Sequence, residues 1–250
     1  MHTAYFWNLL RLRGKKITFS LVFFVFIVSS TEAQIGKVRN QADYDLKKVR
    51  FGYLIGVAQT HYTIRYNEFF LLPGNTDFYA IHSPNTFGFK MSAVMNVHIN
   101  DSFDYRILPT VAIYNRQMQV INNSSPDPEK LVNADKAWIE VPFLLKYKSQ
   151  RRGNFRAYAI SGLRFSAETN AVNLANRATG PNAFLIKKRD VSLDYGLGLE
   201  FFQRFFKFTP ELLFSQGLNN LVEGTTGASS PLGSIGKLRS RTVTLNIIFE

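Results

Sequence analysis

From Thr86 to Asn100 the chain alternates almost strictly between apolar and other side chains. Phe87, Phe89, Met91, Ala93, Met95, Val97 and Ile99 fall on one side, with Gly88, Lys90, Ser92, Asn96 and His98 among the residues on the other. A period of two places successive side chains on opposite faces of an extended chain. A run of this length is far longer than the roughly 5–6 residues of an ordinary strand. The pattern recurs at Ala137–Lys148, Val191–Phe202 and Arg239–Phe249, and more weakly at 51–64, 103–120, 155–168 and 205–218. The sequence thus predicts eight strands over these eight stretches.

Their connections alternate in length. Short turns are expected near Asn100–Ser102, Ser149–Asn154 and Gln203–Arg204, and long ones near 65–85, 121–136, 169–189 and 219–238. Long loops without structure are unusual in a compact soluble domain, whereas short turns at one end and long loops at the other mark an outer-membrane barrel. An even number of strands puts both termini at the short-turn, periplasmic end.

The second face separates a membrane barrel from a soluble one of lipocalin type. It carries Gly52, Gly56, Lys90, Ser92, Arg106, Thr110, Glu140, Lys146, Asp194, Gly196, Gly198, Glu200, Lys207, Glu211 and Ser215. Mixed acids and bases suit a closed lumen filled by ion pairs, and glycines suit the tight wall of an eight-stranded barrel. The expected lumen network comprises Lys90, Arg106, Glu140, Lys146, Arg164, Asp194, Glu200 and Glu211. Aromatics gather near the short turns: Phe51, Phe103, Tyr105, Tyr147, Phe155, Phe201, Phe202, Phe205, Phe206 and Phe249. That is where an interfacial girdle belongs. A mean hydropathy of −0.08 excludes a bundle of membrane helices but not a barrel that is apolar on one face only. The expected fold is therefore all-β, an eight-stranded antiparallel transmembrane up-and-down barrel spanning 50–250.

Ahead of the barrel, Arg11, Arg13, Lys15 and Lys16 precede the apolar run Ile17–Val28, with Ala33 at a small-residue cleavage position. Residues 1–33 read as a secretory signal peptide, the alternative being an uncleaved anchor. The run is too short for a comfortable helical span. Residues 34–49 are polar and basic and read as a periplasmic segment, either a disordered stub or a contact arm. With 0 Cys the chain has no disulfide framework, thiolate site or lipoprotein anchor, which fits an exported envelope protein.

Four stretches resemble the PorT family of outer-membrane proteins of Bacteroidota. They are Arg50–Ile64, Trp138–Phe165, Asp194–Val222 and the C-terminal strand, together covering most of the chain from about residue 45. The more specific pieces are Glu140–Lys148 (EVPFLLKYK) and Pro210–Leu218 (PELLFSQGL). The resemblance implies an integral barrel that serves type IX protein secretion and gliding motility as an accessory component. Its implied partners are outer-membrane lipid, subunits of a secretion translocon and, during insertion, the barrel-assembly machinery. It also implies that Phe249, in the last strand, belongs to a C-terminal assembly signal. The fallback is a stand-alone small barrel for adhesion or envelope integrity.

Catalytic chemistry finds little support. His61, His82 and His98 show no spacing that enforces a Ser/His/acid site of a lipid-A-modifying enzyme. Ser234–Leu238 fails as a phosphate loop, because Pro231 stands where a glycine is required. No cofactor or metal site is expected. The formal charge of +12 suggests anionic lipid head groups rather than nucleic acid, given the signal peptide and the lipid-facing period.

Overall fold

The computed structural model describes residues 39–66, 78–122, 125–132, 135–169, 187–222 and 235–250, and Asn40–Glu250 form one compact unit. The expected signal peptide lies outside the described residues. Among the described residues no helix is long and apolar enough to cross a membrane. The long alternating runs all become strands. These are β1 (Val49–Tyr66), β3 (Thr86–His98), β4 (Phe103–Ile107), β5 (Thr110–Asn115), β8 (Asp135–Lys148), β9 (Phe155–Thr169), β10 (Arg189–Phe202), β11 (Lys207–Gly217) and β12 (Ile235–Phe249). Three further strands, β2 (Phe78–His82), β6 (Met118–Asn122) and β7 (Ser125–Val132), form a separate small sheet.

The main sheet runs β1-β12-β11-β10-β9-β8-β4/β5-β3 and returns to β1, every pair antiparallel. β4 and β5 are one wall strand. Arg106 opposes Asn96 and Leu144, Thr110 opposes Ser92 and Glu140, and the register is unchanged across the gap between them. The interruption falls at Leu108–Pro109, where proline offers no N–H to the ladder. Backbone bonds from Leu108 N–H to Pro142 O (3.2 Å) and from Ala93 N–H to Pro109 O (3.0 Å) carry the wall across it. The result is the expected closed ring of eight wall strands.

Burial follows the period of two, inverted relative to a soluble protein. On β10, Leu193, Tyr195, Leu197 and Leu199 are exposed while Asp194, Gly196, Gly198 and Glu200 are buried. Phe51 and Phe87 on the outer face are each 70% exposed, whereas Arg106 and Lys146 inside are 0% exposed. Large apolar side chains cover the outside on every wall strand, which water would not tolerate on this scale and hydrocarbon requires.

The lumen carries its own apolar layer. Leu54, Val94, Leu108, Leu144, Tyr158, Ile160, Leu213 and Ile248 form one cluster there, which the expectation of a lumen filled by ion pairs did not include. A second cluster of Tyr62, Ile81, Met118, Leu221, Ile235 and Leu238 packs at the long-loop end. Strands β2 and β7 lie where unstructured loops were expected, and β6 begins in the last residues of the stretch 103–120 expected in a wall strand. The two prolines of β7, Pro126 and Pro128, argue against a strand from sequence. They are tolerated because the order β2-β6-β7 puts β7 at a sheet edge.

Gly198 permits one close approach. A Cβ there would collide with the Tyr158 ring, whose hydroxyl donates to Glu211 at 2.6 Å. Gly198→Val is therefore expected to displace Tyr158 and cost about 1–3 kcal/mol, read as a lower unfolding midpoint of the heat-modifiable barrel in detergent. An unchanged midpoint would show that the Tyr158 contact is dispensable.

Candidate functional site: the charged lumen and its short-turn mouth

Inward parity on neighbouring strands brings charged residues together in two layers, one on each side of the lumen's apolar cluster. In the layer toward the short turns, Glu200 on β10 is the hub. It forms a close ion pair with Lys146 of β8, and it accepts from Lys207 Nζ of β11 at 2.8 Å and Arg156 Nε of β9 at 2.6 Å. Beside it Arg106 donates to Glu211 at 2.8 Å and to Asn96 at 2.7 Å, and Asn246 donates to Glu211 at 2.9 Å. Asp104 accepts from Lys148 at 2.6 Å and pairs with Arg50 at 2.7 Å, with His98 Nδ1 3.2 Å away.

In the other layer Arg164 donates to Glu140 at 3.1 Å and lies 3.6 Å from Asp194. Tyr114 also donates to Glu140, at 3.1 Å. Lys90 of β3 is buried in the same layer. Toward the long loops, Arg116 donates to Thr60 at 3.0 Å and lies over the rings of Tyr114, Trp138 and Tyr62.

All eight residues expected in the lumen network are buried there. The structure divides them into Arg106, Lys146, Glu200 and Glu211 in one layer and Lys90, Glu140, Arg164 and Asp194 in the other. Sequence reasoning passed over Arg50, Asp104, Arg116, Arg156, Asp190 and Glu250. Parity was the available signal for several of them: Asp104 shares it with Arg106, Arg156 with Arg164, and Asp190 with Asp194. They sit near strand ends, where alternation merges into turns.

Lys148, which ends the alternating run Ala137–Lys148, closes β8 and is buried against Asp104. One expectation is corrected by parity. Phe202 was placed in the aromatic girdle, yet it is 1% exposed and points inward. Several of the other girdle rings do meet on the wall, joined by Tyr53 and Phe208, which the sequence reading did not include. Tyr53 stacks on Phe249 at 5.2 Å, Phe249 contacts Phe208 at 5.6 Å, Phe208 meets Phe201 at 6.3 Å and Phe201 meets Phe155 at 5.5 Å. Phe249 thereby links the rings of β1 and β11 across β12.

Part of the segment expected ahead of the barrel packs into its short-turn mouth. Ala42–Leu46 forms a 3-10 turn whose Tyr44 is buried. Tyr44 meets Phe202 edge-on at 5.4 Å, and its hydroxyl accepts from Lys207. Asn40 donates to Phe202 O at 3.1 Å, and Arg151 donates to Gln41 O at 3.2 Å while its guanidinium lies 3.7 Å from the Phe202 ring centre. Asp45 pairs with Arg156 at 2.9 Å and with Arg50 at 3.6 Å. Partial burial works against ionising Asp45, but Arg156 beside it outweighs that and holds the carboxyl below its ordinary range.

The filled lumen, apolar exterior and closed ring define a small membrane barrel. Residues 32–223 match the outer membrane protein beta-barrel domain family, and the chain belongs to it. The fold is similar to that of the outer membrane protein OprG from Pseudomonas aeruginosa, at 12% identity over 80% of this chain and 90% of that one, with a TM-score of 0.42. It is also similar to Neisserial surface protein A, at 11% identity over 81% of this chain and 98% of that one (TM-score 0.40). A third similar structure is AlkL in DMPC lipid bilayers, at 11% identity over 86% of this chain and 92% of that one (TM-score 0.39). No curated protein matches the sequence.

Glu200→Ala is expected to cost on the order of 3–5 kcal/mol, because it strands a buried cation. Among the described residues Lys146 has its one carboxylate partner there, whereas Lys207 retains Glu250 and Arg156 retains Asp45. Adding Lys146→Met should restore part of the loss, and a double-mutant cycle in detergent measures it. Glu140→Ala should impair folding as well, since Lys90 stays buried in the same layer without it, although Arg164 keeps Asp194 nearby. Unchanged heat-modifiable migration and melting in both variants would contradict a filled lumen that depends on its charges.

Asp45 sets a pH dependence at the mouth. Its folded pKa is lowered, so its stabilisation is complete above the ordinary carboxylate range and is lost as pH falls through the lowered value. Asp45→Asn should loosen the segment and make the chain at the already exposed Lys47 and Lys48 cleavable by trypsin at neutral pH. The wild-type segment should stay protected at neutral pH and lose its anchorage only in acid. Equal cleavage of the two proteins at neutral pH would show that Asp45 does not anchor the segment.

Proposed function

We propose that this outer-membrane barrel is an accessory component of type IX protein secretion in Bacteroidota, of PorT type, acting by protein contact and not as the conduit. The supporting observation is the packed lumen. Ion pairs, the apolar layer around Leu144 and Leu213, and the Tyr44 segment leave no bore for a polypeptide. A role in export must then be served from the rims or the lipid-facing wall. The resemblance at Glu140–Lys148 and Pro210–Leu218 points to secretion and gliding. In this reading both termini and the short turns face the periplasm, residues 1–33 are the signal peptide, and 34–49 is the periplasmic segment. The barrel-assembly machinery reads the C-terminal strand through Phe249.

The reading is non-enzymatic. Among the described residues none of His61, His82 and His98 hydrogen-bonds a serine, although His98 approaches Asp104. A second reading, a stand-alone barrel acting in adhesion or envelope integrity, is favoured by the β2-β6-β7 sheet built from the long connections.

Deletion of the gene separates the two readings. The secretion role predicts loss of cargo bearing C-terminal sorting domains from the medium, and co-purification of the tagged barrel with a large outer-membrane translocon. Normal secretion with a phenotype that maps to β2, β6 and β7 would overturn it in favour of the stand-alone barrel.

A further inference from the structure

The rim of the barrel carries a step that the lumen network does not account for. β12 pairs with β1 only from Tyr53 upward, so Val49–Gly52 of β1 continue past it. Opposite that overhang stands the β10–β11 turn with Arg204 and Phe205. Between them opens a cleft of about 530 Å³, bordered also by Asp43, Tyr44 and Lys47 of the mouth segment. Adjoining it is a second groove of about 450 Å³ lined by Phe51, Tyr53, Phe205, Phe206 and Phe249. Phe51, Phe205 and Glu250 border both spaces. One is thus a charged recess at the rim, and the other an aromatic trough on the outer wall directly above it.

The charges of the recess are unequally committed. Arg50 is held by Asp104, and the Glu250 side chain by Lys207 and Asn96. Lys47 and Arg204 are exposed, and among the described residues neither lies within ion-pair distance of a carboxylate. Asp43 is the one exposed acid in the recess. Phe205, 86% exposed beneath the Arg204 guanidinium, leaves its ring open at the level of the aromatic belt. Aromatic rings at an interface sit at the head-group level, and exposed bases there attract anionic lipid.

We infer that this step is a binding site for one anionic phospholipid, its phosphodiester held by Lys47 and Arg204 in the recess and an acyl chain laid in the trough between Phe51, Phe205 and Phe249. The charge and the paired polar and apolar spaces fit a head-and-tail ligand. A peptide strand on the same overhang would have no use for the trough. The site depends on the wall lying in a bilayer and is independent of a secretion role.

Native mass spectrometry of the full barrel in detergent, titrated with phosphatidylglycerol or phosphatidylcholine, tests the site. The wild type should retain phosphatidylglycerol in preference. Lys47→Glu with Arg204→Glu should lower that retention by about tenfold, with heat-modifiable migration intact. Phe205→Ser should weaken it as well, through the trough. Arg152→Glu, on the β8–β9 turn, should leave it unchanged. Equal retention of the two lipids, retention indifferent to the Lys47/Arg204 or Phe205 variants, or an equal loss in Arg152→Glu would each overturn the proposal.

Discussion

Every backbone N–H and C=O placed in hydrocarbon must find its partner within the protein, because no water is present to substitute. The antiparallel pairing of β1 with both β3 and β12 meets that demand by leaving no edge in the ring. Much of the chain's character follows. A closed ladder fixes the period of two, and the bilayer's thickness calls for long strands. One side of every strand is committed to lipid and the other to a narrow interior. Even the break at Leu108–Pro109 is accommodated inside an unchanged register.

The narrow interior creates the second problem, which the charges answer. A ring of eight strands has room only for side chains, so Lys146, Arg106 and Arg164 enter the lumen without bulk water. Burial of such groups is tolerated when carboxylates and hydroxyls meet them. Glu200 takes three cations from three strands, and Glu211 takes a guanidinium, a phenol and an amide. The contacts cross strands far apart in sequence and tie opposite sides of the wall together. The Tyr44 segment finishes the job at the mouth, where Asp45 and the Tyr44 hydroxyl serve the cations nearest the opening. A barrel closed this way works through its surfaces.

Most of the wall was legible from residue type and parity. Phe87 to Ile99 announce a strand with one greasy face, and the same parity assigned Lys90, Glu140 and Glu200 to the interior. Parity also held information that reading by turn composition discarded. Phe202 reads as a girdle ring from its type and its place beside a short turn, whereas its parity on β10 turns it inward. The small sheet was hidden for a different reason. β2 and β6 are short, and Pro126 and Pro128 in β7 are ordinarily strand breakers, so only their position at a sheet edge makes the assignment intelligible.

The sequence by itself determined the architecture, because alternation of side chains, the lengths of the connections and the chemistry of the second face are all local properties. It also determined which residues face inward. What the tertiary structure alone decided is who meets whom: that Glu200 gathers Lys146, Arg156 and Lys207, that an apolar layer separates two charged ones, and that residues 40–47 fold back into the mouth. Those facts depend on ring closure and the stagger of the strands, which set heights across the lumen between residues far apart in sequence, 163 positions for Tyr44 and Lys207. A one-dimensional pattern encodes the side on which a residue lies, but the height at which it meets its partner exists only once the barrel has closed.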